Sequence, residues 1–384
     1  PIQFQSGFSI RSNFNPIIPA AGMALRARAN EALKQGDIPQ AIELYTQALE
    51  VEEVDGLERS KLFSNRSAAH FHAKQFHNAL EDANSAIGCN RSWAKVHARK
   101  ACACYALRDY AQAALAYLQA TQVSGSFEAY RQELVEAVLK SCRGIRTTGR
   151  ISKKPSQKFR PGDVYADADD GVYTVLLETV VTEDPWVRLA SLLQLAVLAS
   201  CPNHRGAFFE PGTGAAAVLA SLAMREDLDT LFPPRKSLQK VSPLLTKTFE
   251  AVIGAPYDAT HPKCVLAKAF SSLTEYESCC PEVSAGRALL HRDDLMKSLV
   301  KLTDETSMCE RSQHFLGVTF KCIVRVVEVG SKPEISRALQ TGLGPGIEKL
   351  IRAARENDKE YEENYLVRLL HVLTHHPEHP DNQV

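Results

Sequence analysis

The sequence predicts an all-α protein in two parts, a superhelix of three helix pairs with a cap helix and then a longer, less regular α-solenoid. Two observations carry this expectation. One pattern of small and large apolar residues recurs three times between residues 23 and 123. Beyond residue 171 the apolar residues keep helical spacing, with few of the alternating β-branched stretches that argue strands.

The recurrence is anchored on Ala41, Ala79 and Ala113. Counted from Gly22, the first copy has Ala29, Ala41, Tyr45 and Ala48 at its eighth, twentieth, twenty-fourth and twenty-seventh places. The second copy has Ser67, Ala79, Ala83 and Ala86 there, and the third Ala101, Ala113, Tyr117 and Ala120. Ala79 to Ala113 is 34 residues; Ala41 to Ala79 is 38, with the surplus around Val54-Asp55-Gly56-Leu57. Small residues at these places let paired helices approach while an aromatic fills the gap between turns. The period is that of the tetratricopeptide repeat.

Helix limits follow from local chemistry. Gly36-Asp37 ends the first helix, and Pro39 is a first-turn proline opening Gln40 to Leu49. The second pair is expected at Glu58–Lys74 and His77–Ile87, the third at Ser92–Leu107 and Tyr110–Ala120. Phe127 to Arg143, with Tyr130, Leu134, Val138 and Leu139 at helical spacing, reads as the cap helix such arrays need. A repeat domain is thus expected over 23–143, with Met23 opening its first helix. Residues 1–22, broken by Pro1, Pro16, Pro19 and Gly7, are expected to be an irregular arm. Opening on Pro1 is what a fragment or a processed chain would do.

The first helix of each pair lines the concave face of a stacked array. Arg26 and Asn30 stand at the fifth and ninth places of the first copy, Asn65 at the sixth of the second, and Lys95 and Arg99 at the second and sixth of the third. A spacing of four puts each pair on one helix face. Three cations and two carboxamides therefore converge, with no Asp or Glu at the five positions, and an anion site suited to carboxylate is expected. Charge-assisted hydrogen bonds from such groups are about twice as strong as neutral ones.

These five residues, with the phrase Ser64-Asn65-Arg66-Ser67-Ala68-Ala69, closely resemble the carboxylate-clamp class of tetratricopeptide co-chaperones. The resemblance covers the first third of the chain. It implies binding of the C-terminal Glu-Glu-Val-Asp tail of Hsp70 or Hsp90. It also implies that Arg26, Asn30 and Asn65 hold the main-chain carboxylate, that Lys95 bridges to the Asp side chain, and that Arg99 takes an acceptor further up the peptide. Arg26 departs from the Lys usual in the class, which keeps the charge and adds planar donors. The phrase Glu52-Glu53-Val54-Asp55 spells the same tail inside this chain, without a free α-carboxylate, and is read as chance.

Residues 144–170 are expected to be a linker, first basic (Arg146, Arg150, Lys153, Lys154, Lys158, Arg160), then acidic (Asp163, Asp167, Asp169, Asp170). Residues 171–384 read as an armadillo- or HEAT-like solenoid. After Asp184-Pro185, Trp186 to Ala199 is apolar almost all round, as a helix buried between neighbours would be. Asn203 to Gly212 followed by Ala215–Met224, and Arg337 to Gly344 followed by Ile347–Ala354, resemble armadillo units: a short helix, a Gly turn and a second helix. Further helices are expected near Leu238–Ile253, Cys264–Glu275, Ala285–His291, Leu295–Leu302, Ser312–Val329 and Tyr361–Leu373. The two-part architecture is similar to that of the UCS family of myosin chaperones.

Chemistry beyond binding has little support. His371 and His375 have a spacing that can hold a metal, but Pro377 and Pro380 end the helix there and no further ligand is placed. No phosphate loop, dinucleotide glycine pattern, HExxH or nucleophile elbow occurs. A net charge of zero gives no pull toward nucleic acid or membrane, and no apolar run approaches a span of about 20 residues. The ten Cys lie without CxxC pairs, as in a reducing compartment, so a cytoplasmic protein is expected. The sequence thus predicts a non-enzymatic co-chaperone or adaptor, without cofactor or metal, whose repeats hold a chaperone tail and whose solenoid holds a client or second partner. An organelle-targeting receptor, or a scaffold for another acidic C-terminus, is the alternative.

Overall fold

A computed structural model describes residues 20–51, 55–142, 171–201, 204, 208, 214–227, 231–233, 242–254, 256, 263–273, 292–308, 313–356 and 367. All regular structure among them is helical. The linker, the His371–His379 cluster, the internal Glu-Glu-Val sequence, and the helices expected at Ala285–His291 and Tyr361–Leu373 fall outside the described residues, apart from position 367. The chain divides into two compact units, Pro1–Leu107 and Arg108–Val384.

The first unit holds α1 (Ala20–Gln35), α2 (Ile38–Glu50), α3 (Gly56–His72), α4 (Phe76–Cys89) and α5 (Ala94–Ala106). Here α1 starts three residues before the expected Met23: Ala20 and Ala21 are good helix formers, and the helix runs on through Gly22. Helices α1 with α2, and α3 with α4, pack as antiparallel pairs; α2 also lies on α3, and α4 on α5. The small residues of the repeat are the buried seam: Ala29, Ala41, Ala48, Ala79, Ala83, Ala86 and Ala101 are all fully buried, and Tyr45 fills the gap in the first pair. Where the second copy has Ser67 instead of Ala, its hydroxyl donates to the Ala79 carbonyl at 2.7 Å, so the polar atom is satisfied in the seam.

The turns repeat as well. Gly36, Lys74 and Arg108 occupy the same place in the three copies, and all three have left-handed backbone, φ 83°, 60° and 65°. The next residue precedes a helix each time. Asp37 and Asp109 accept from the backbone N–H of Gln40 and Gln112, both at 3.1 Å. These are N-caps that satisfy otherwise orphaned donors. Gln75, in the same place, does not cap; its Oε1 lies 2.7 Å from Nδ1 of His70.

The second unit opens on α6 (Tyr110–Ser124), α7 (Arg131–Ser141), α8 (Gly171–Val180) and α9 (Pro185–Ser200). The expected cap helix is shorter than Phe127–Arg143, because Tyr130 leaves helical geometry at φ −133° and becomes the N-cap of α7. Helix α6 packs on α7 and α8, and both α7 and α8 pack on α9. Every residue from Trp186 to Ala199 is buried, as the all-round apolar pattern predicts. Asp184 caps α9 through the backbone N–H of Trp186 and Val187, at 3.0 and 3.1 Å, and accepts from Arg131 Nε at 2.7 Å. Gln194 on α9 donates to the Leu139 carbonyl of α7 at 2.8 Å.

The chain continues through α10 (Ala215–Ala223), α11 (Pro243–Ile253), α12 (Cys264–Leu273), α13 (Asp293–Met308), α14 (Gln313–Val329), α15 (Lys332–Ala338) and α16 (Gly344–Glu356). Contacts pass from α9 to α12 to α14, and from α10 to α13 to α16, giving an irregular α-solenoid of the armadillo/HEAT kind. Lys301 Nζ donates to the carbonyls of Met224 and Arg225 at 2.9 and 2.8 Å, closing the C-terminal end of α10. The Gly turn expected after Arg337 is present: α15 and α16 meet across a kink at Gly342, whose backbone is left-handed at φ 113°. Only His204 and Phe208 of the other armadillo-like phrase are described, and Phe208 is buried.

Candidate carboxylate-binding site

All five candidate residues lie on first helices of pairs in the first unit: Arg26 and Asn30 on α1, Asn65 on α3, Lys95 and Arg99 on α5. Asn30 and Asn65 meet directly. The Asn65 amide donates to Asn30 Oδ1 at 3.0 Å, and the same oxygen accepts from the Tyr45 hydroxyl at 2.6 Å. With its oxygen held twice, the Asn30 side chain has only its NH2 group left to offer.

Two of the cations act on the tyrosine that holds this pair. Arg26 and Arg99 both act electrostatically on the Tyr45 hydroxyl, which burial nevertheless pushes up to about 12, so it remains a neutral donor at physiological pH. Lys95 sits 5.7 Å above the Trp93 ring. Burial first, and then the like charge of Arg99, push its ammonium below the ordinary Lys value. Arg99 Nε is buried and has no hydrogen-bond partner. A buried, unsatisfied guanidinium N–H is costly, and an anion brought beside it would relieve that cost together with the repulsion from Lys95.

None of the five positions is an acid, but an acid lies beside them. Glu58, in the first turn of α3, places Oε1 2.7 Å from Arg26 Nε, close enough for an ion pair but not aligned as a hydrogen bond. Lys61 Nζ lies 3.4 Å from the other oxygen. Glu58 is 32 positions from Arg26, so nothing local in the sequence announces the pair. Tyr45 was legible only as a gap-filling aromatic; the role of its hydroxyl was not. Arg66, next to Asn65, is engaged elsewhere: it grips Asp82 with two bonds, 2.8 and 2.7 Å, and donates to Thr46 Oγ1 at 3.0 Å.

No group of three or more His, Cys, Asp or Glu among the described residues is placed to hold a metal ion. No helix among them is long and apolar enough to cross a membrane.

Comparison with known proteins places the helix pairs. The chain is 36% identical over 109 residues to heat shock protein STI1 of Saccharomyces cerevisiae, covering 28% of this chain and 18% of that protein. It is 29% identical over 99 residues to the Hsp70-Hsp90 organising protein of Plasmodium falciparum, covering 26% of this chain and 38% of that protein. The helix pairs are tetratricopeptide repeats. Among solved structures, the first tetratricopeptide domain of Spaghetti (RPAP3), bound to an HSP90 peptide SRMEEVD, is 28% identical. It covers 30% of this chain and 89% of that one, with a TM-score of 0.28. No family model matches the chain. The chain spans only a minor part of the curated relatives it matches, 18% of the yeast protein.

Proposed function

We propose that the chain is a non-enzymatic co-chaperone or adaptor that holds the acidic C-terminal tail of Hsp90 or Hsp70 in its tetratricopeptide groove. Arg26, Asn30, Asn65, Lys95 and Arg99 form the clamp, and the solenoid carries a client or second partner. The observation that carries this reading is Arg99: a buried guanidinium N–H with no partner, next to a Lys whose charge is disfavoured until an anion arrives. The asparagine pair supplies neutral donors beside those cations, as a main-chain carboxylate requires. The likeness to a heat shock protein and to an Hsp70-Hsp90 organising protein over the repeats points the same way.

A cytoplasmic location suits this role. Cys104, Cys142, Cys201, Cys264 and Cys322 are buried, and burial pushes the Cys142 thiol up to about 12, so it behaves as a small hydrophobe.

Calorimetric titration with a peptide ending in Met-Glu-Glu-Val-Asp tests the proposal, run beside the same peptide amidated at its C-terminus and beside an Arg99→Ala variant. Micromolar binding that is lost in both controls is the expected result. Equal binding of the amidated peptide removes the carboxylate reading. A preference for some other acidic tail favours the scaffold.

A further inference from the structure

The acid beside the clamp has a consequence for how the clamp works. Glu58 is buried and its carboxylate needs a cation; Arg26 supplies one at 2.7 Å, and the more exposed Lys61 supplies a weaker one at 3.4 Å. Of the three cations that line the site, Arg26 is therefore already taken in the empty protein. Arg99 has a buried N–H without a partner, and Lys95 is held in a state that disfavours its charge. The two ends of the site are unequal: an anion gains most beside Lys95 and Arg99, and must compete with Glu58 for Arg26.

We infer that Glu58 is an internal competitor for the clamp, an affinity-setting residue that withholds Arg26 and so weakens the hold of the groove on any carboxylate. This rests on the reading of the groove as a carboxylate site. A purely structural role is the contrasting account, in which the ion pair only ties α1 to α3. That account predicts that losing Glu58 weakens the fold and leaves tail affinity unchanged or lower. Competition predicts the opposite sign. It also predicts that the effect acts through Arg26, because a general change in field would persist without that guanidinium.

Four proteins separate these accounts: the wild type, Glu58→Gln, Arg26→Ala and the double variant, each titrated with the free-acid peptide ending in Met-Glu-Glu-Val-Asp. Glu58→Gln is expected to tighten binding about 3- to 10-fold, on the scale of one ordinary net hydrogen bond. The gain is expected to vanish in the Arg26→Ala background. Wild-type binding with no gain in Glu58→Gln, or with a gain that survives in the double variant, overturns the inference and leaves the clamp intact. Binding by neither the wild type nor Glu58→Gln overturns both. Binding by Glu58→Gln alone supports competition in its strongest form.

The wild type supplies a second readout that does not depend on a variant folding. The Arg26 Nε–H resonance is expected to shift when the free-acid peptide saturates the site, as the guanidinium exchanges or shares its acid. An unchanged resonance at saturation overturns the inference.

Discussion

The Tyr45 hydroxyl donates a 2.6 Å hydrogen bond to Asn30 Oδ1, and this bond occupies the oxygen end of the asparagine. With Asn65 holding the same oxygen, a flip of the Asn30 amide would set NH2 against two donors. Tyr45→Phe removes one of the two restraints without changing the packing of the ring. We expect tail affinity to fall about 5-fold, equivalent to roughly 1 kcal/mol, the net worth of one hydrogen bond. Titration of the variant with the free-acid peptide measures this. Unchanged affinity would mean that Asn65 alone orients Asn30. The raised Tyr45 pKa also stabilises the fold below pH 10, and that contribution is lost as pH climbs from 10 toward about 12.

Lys95 gives the site a pH dependence of definite sign. Its folded pKa lies below the ordinary 10.5, so the charged form is a liability in the empty site, relieved as pH rises through the folded value. A carboxylate beside the ammonium reverses the shift. Binding should therefore take up a proton in the alkaline window between the depressed value and 10.5, and affinity should fall as pH rises through that window. Titrations in buffers of different ionisation enthalpy report the proton directly. A Lys95→Met variant should bind more weakly and show neither the proton uptake nor this alkaline slope.

How much of this the sequence displayed depends on the range of each interaction. The repeat register was legible because Ala29, Ala41, Ala79 and Ala101 recur at fixed spacing, and a seam of small residues has no other easy explanation. The five candidate residues were chosen on the same register, since places in a repeat translate into faces of stacked helices. Glu58 was not legible, because its partner is 32 residues away on another helix and the two meet only after α1 and α3 pack. The starts of α1 and of the cap helix were misjudged by a few residues. Such limits turn on single residues, as Tyr130 illustrates by leaving helical geometry ahead of α7. The Gly turn between α15 and α16 was legible, since Gly342 takes the left-handed backbone, φ 113°, that a side chain would disfavour.

The repeated turns make a stability prediction. Gly36 takes its left-handed backbone freely, whereas Lys74 holds φ 60° against the contact between Cβ and its carbonyl, a cost of about 1–2 kcal/mol. Lys74 is exposed, so its side chain contributes little packing. Lys74→Gly removes the strain and adds unfolded-state entropy worth roughly 0.5–1 kcal/mol in the other direction. The net expectation is a gain of about 0.5 kcal/mol in chemical denaturation, with tail affinity unchanged. Lys74→Ala keeps the Cβ and should show no gain.

In the solenoid, Gly346 of α16 marks the closest helix approach that can be tested. A Cβ there would lie 2.2 Å from Thr303 Oγ1 and 3.2 Å from Thr303 Cβ on α13. Thr303 is fully buried and its hydroxyl donates to the Val300 carbonyl at 2.5 Å, so it has no room to swing away. Gly346→Ala must therefore separate α13 from α16, and overpacking of this kind costs about 1–3 kcal/mol. Thr303→Ala removes the 2.2 Å conflict and leaves only the 3.2 Å one, which a shift of a few tenths of an ångström relieves. The double variant should accordingly be more stable than the sum of the two single losses predicts, with a coupling of at least 0.5 kcal/mol in a double-mutant cycle. Strict additivity would show that the cost of Gly346→Ala does not arise at Thr303.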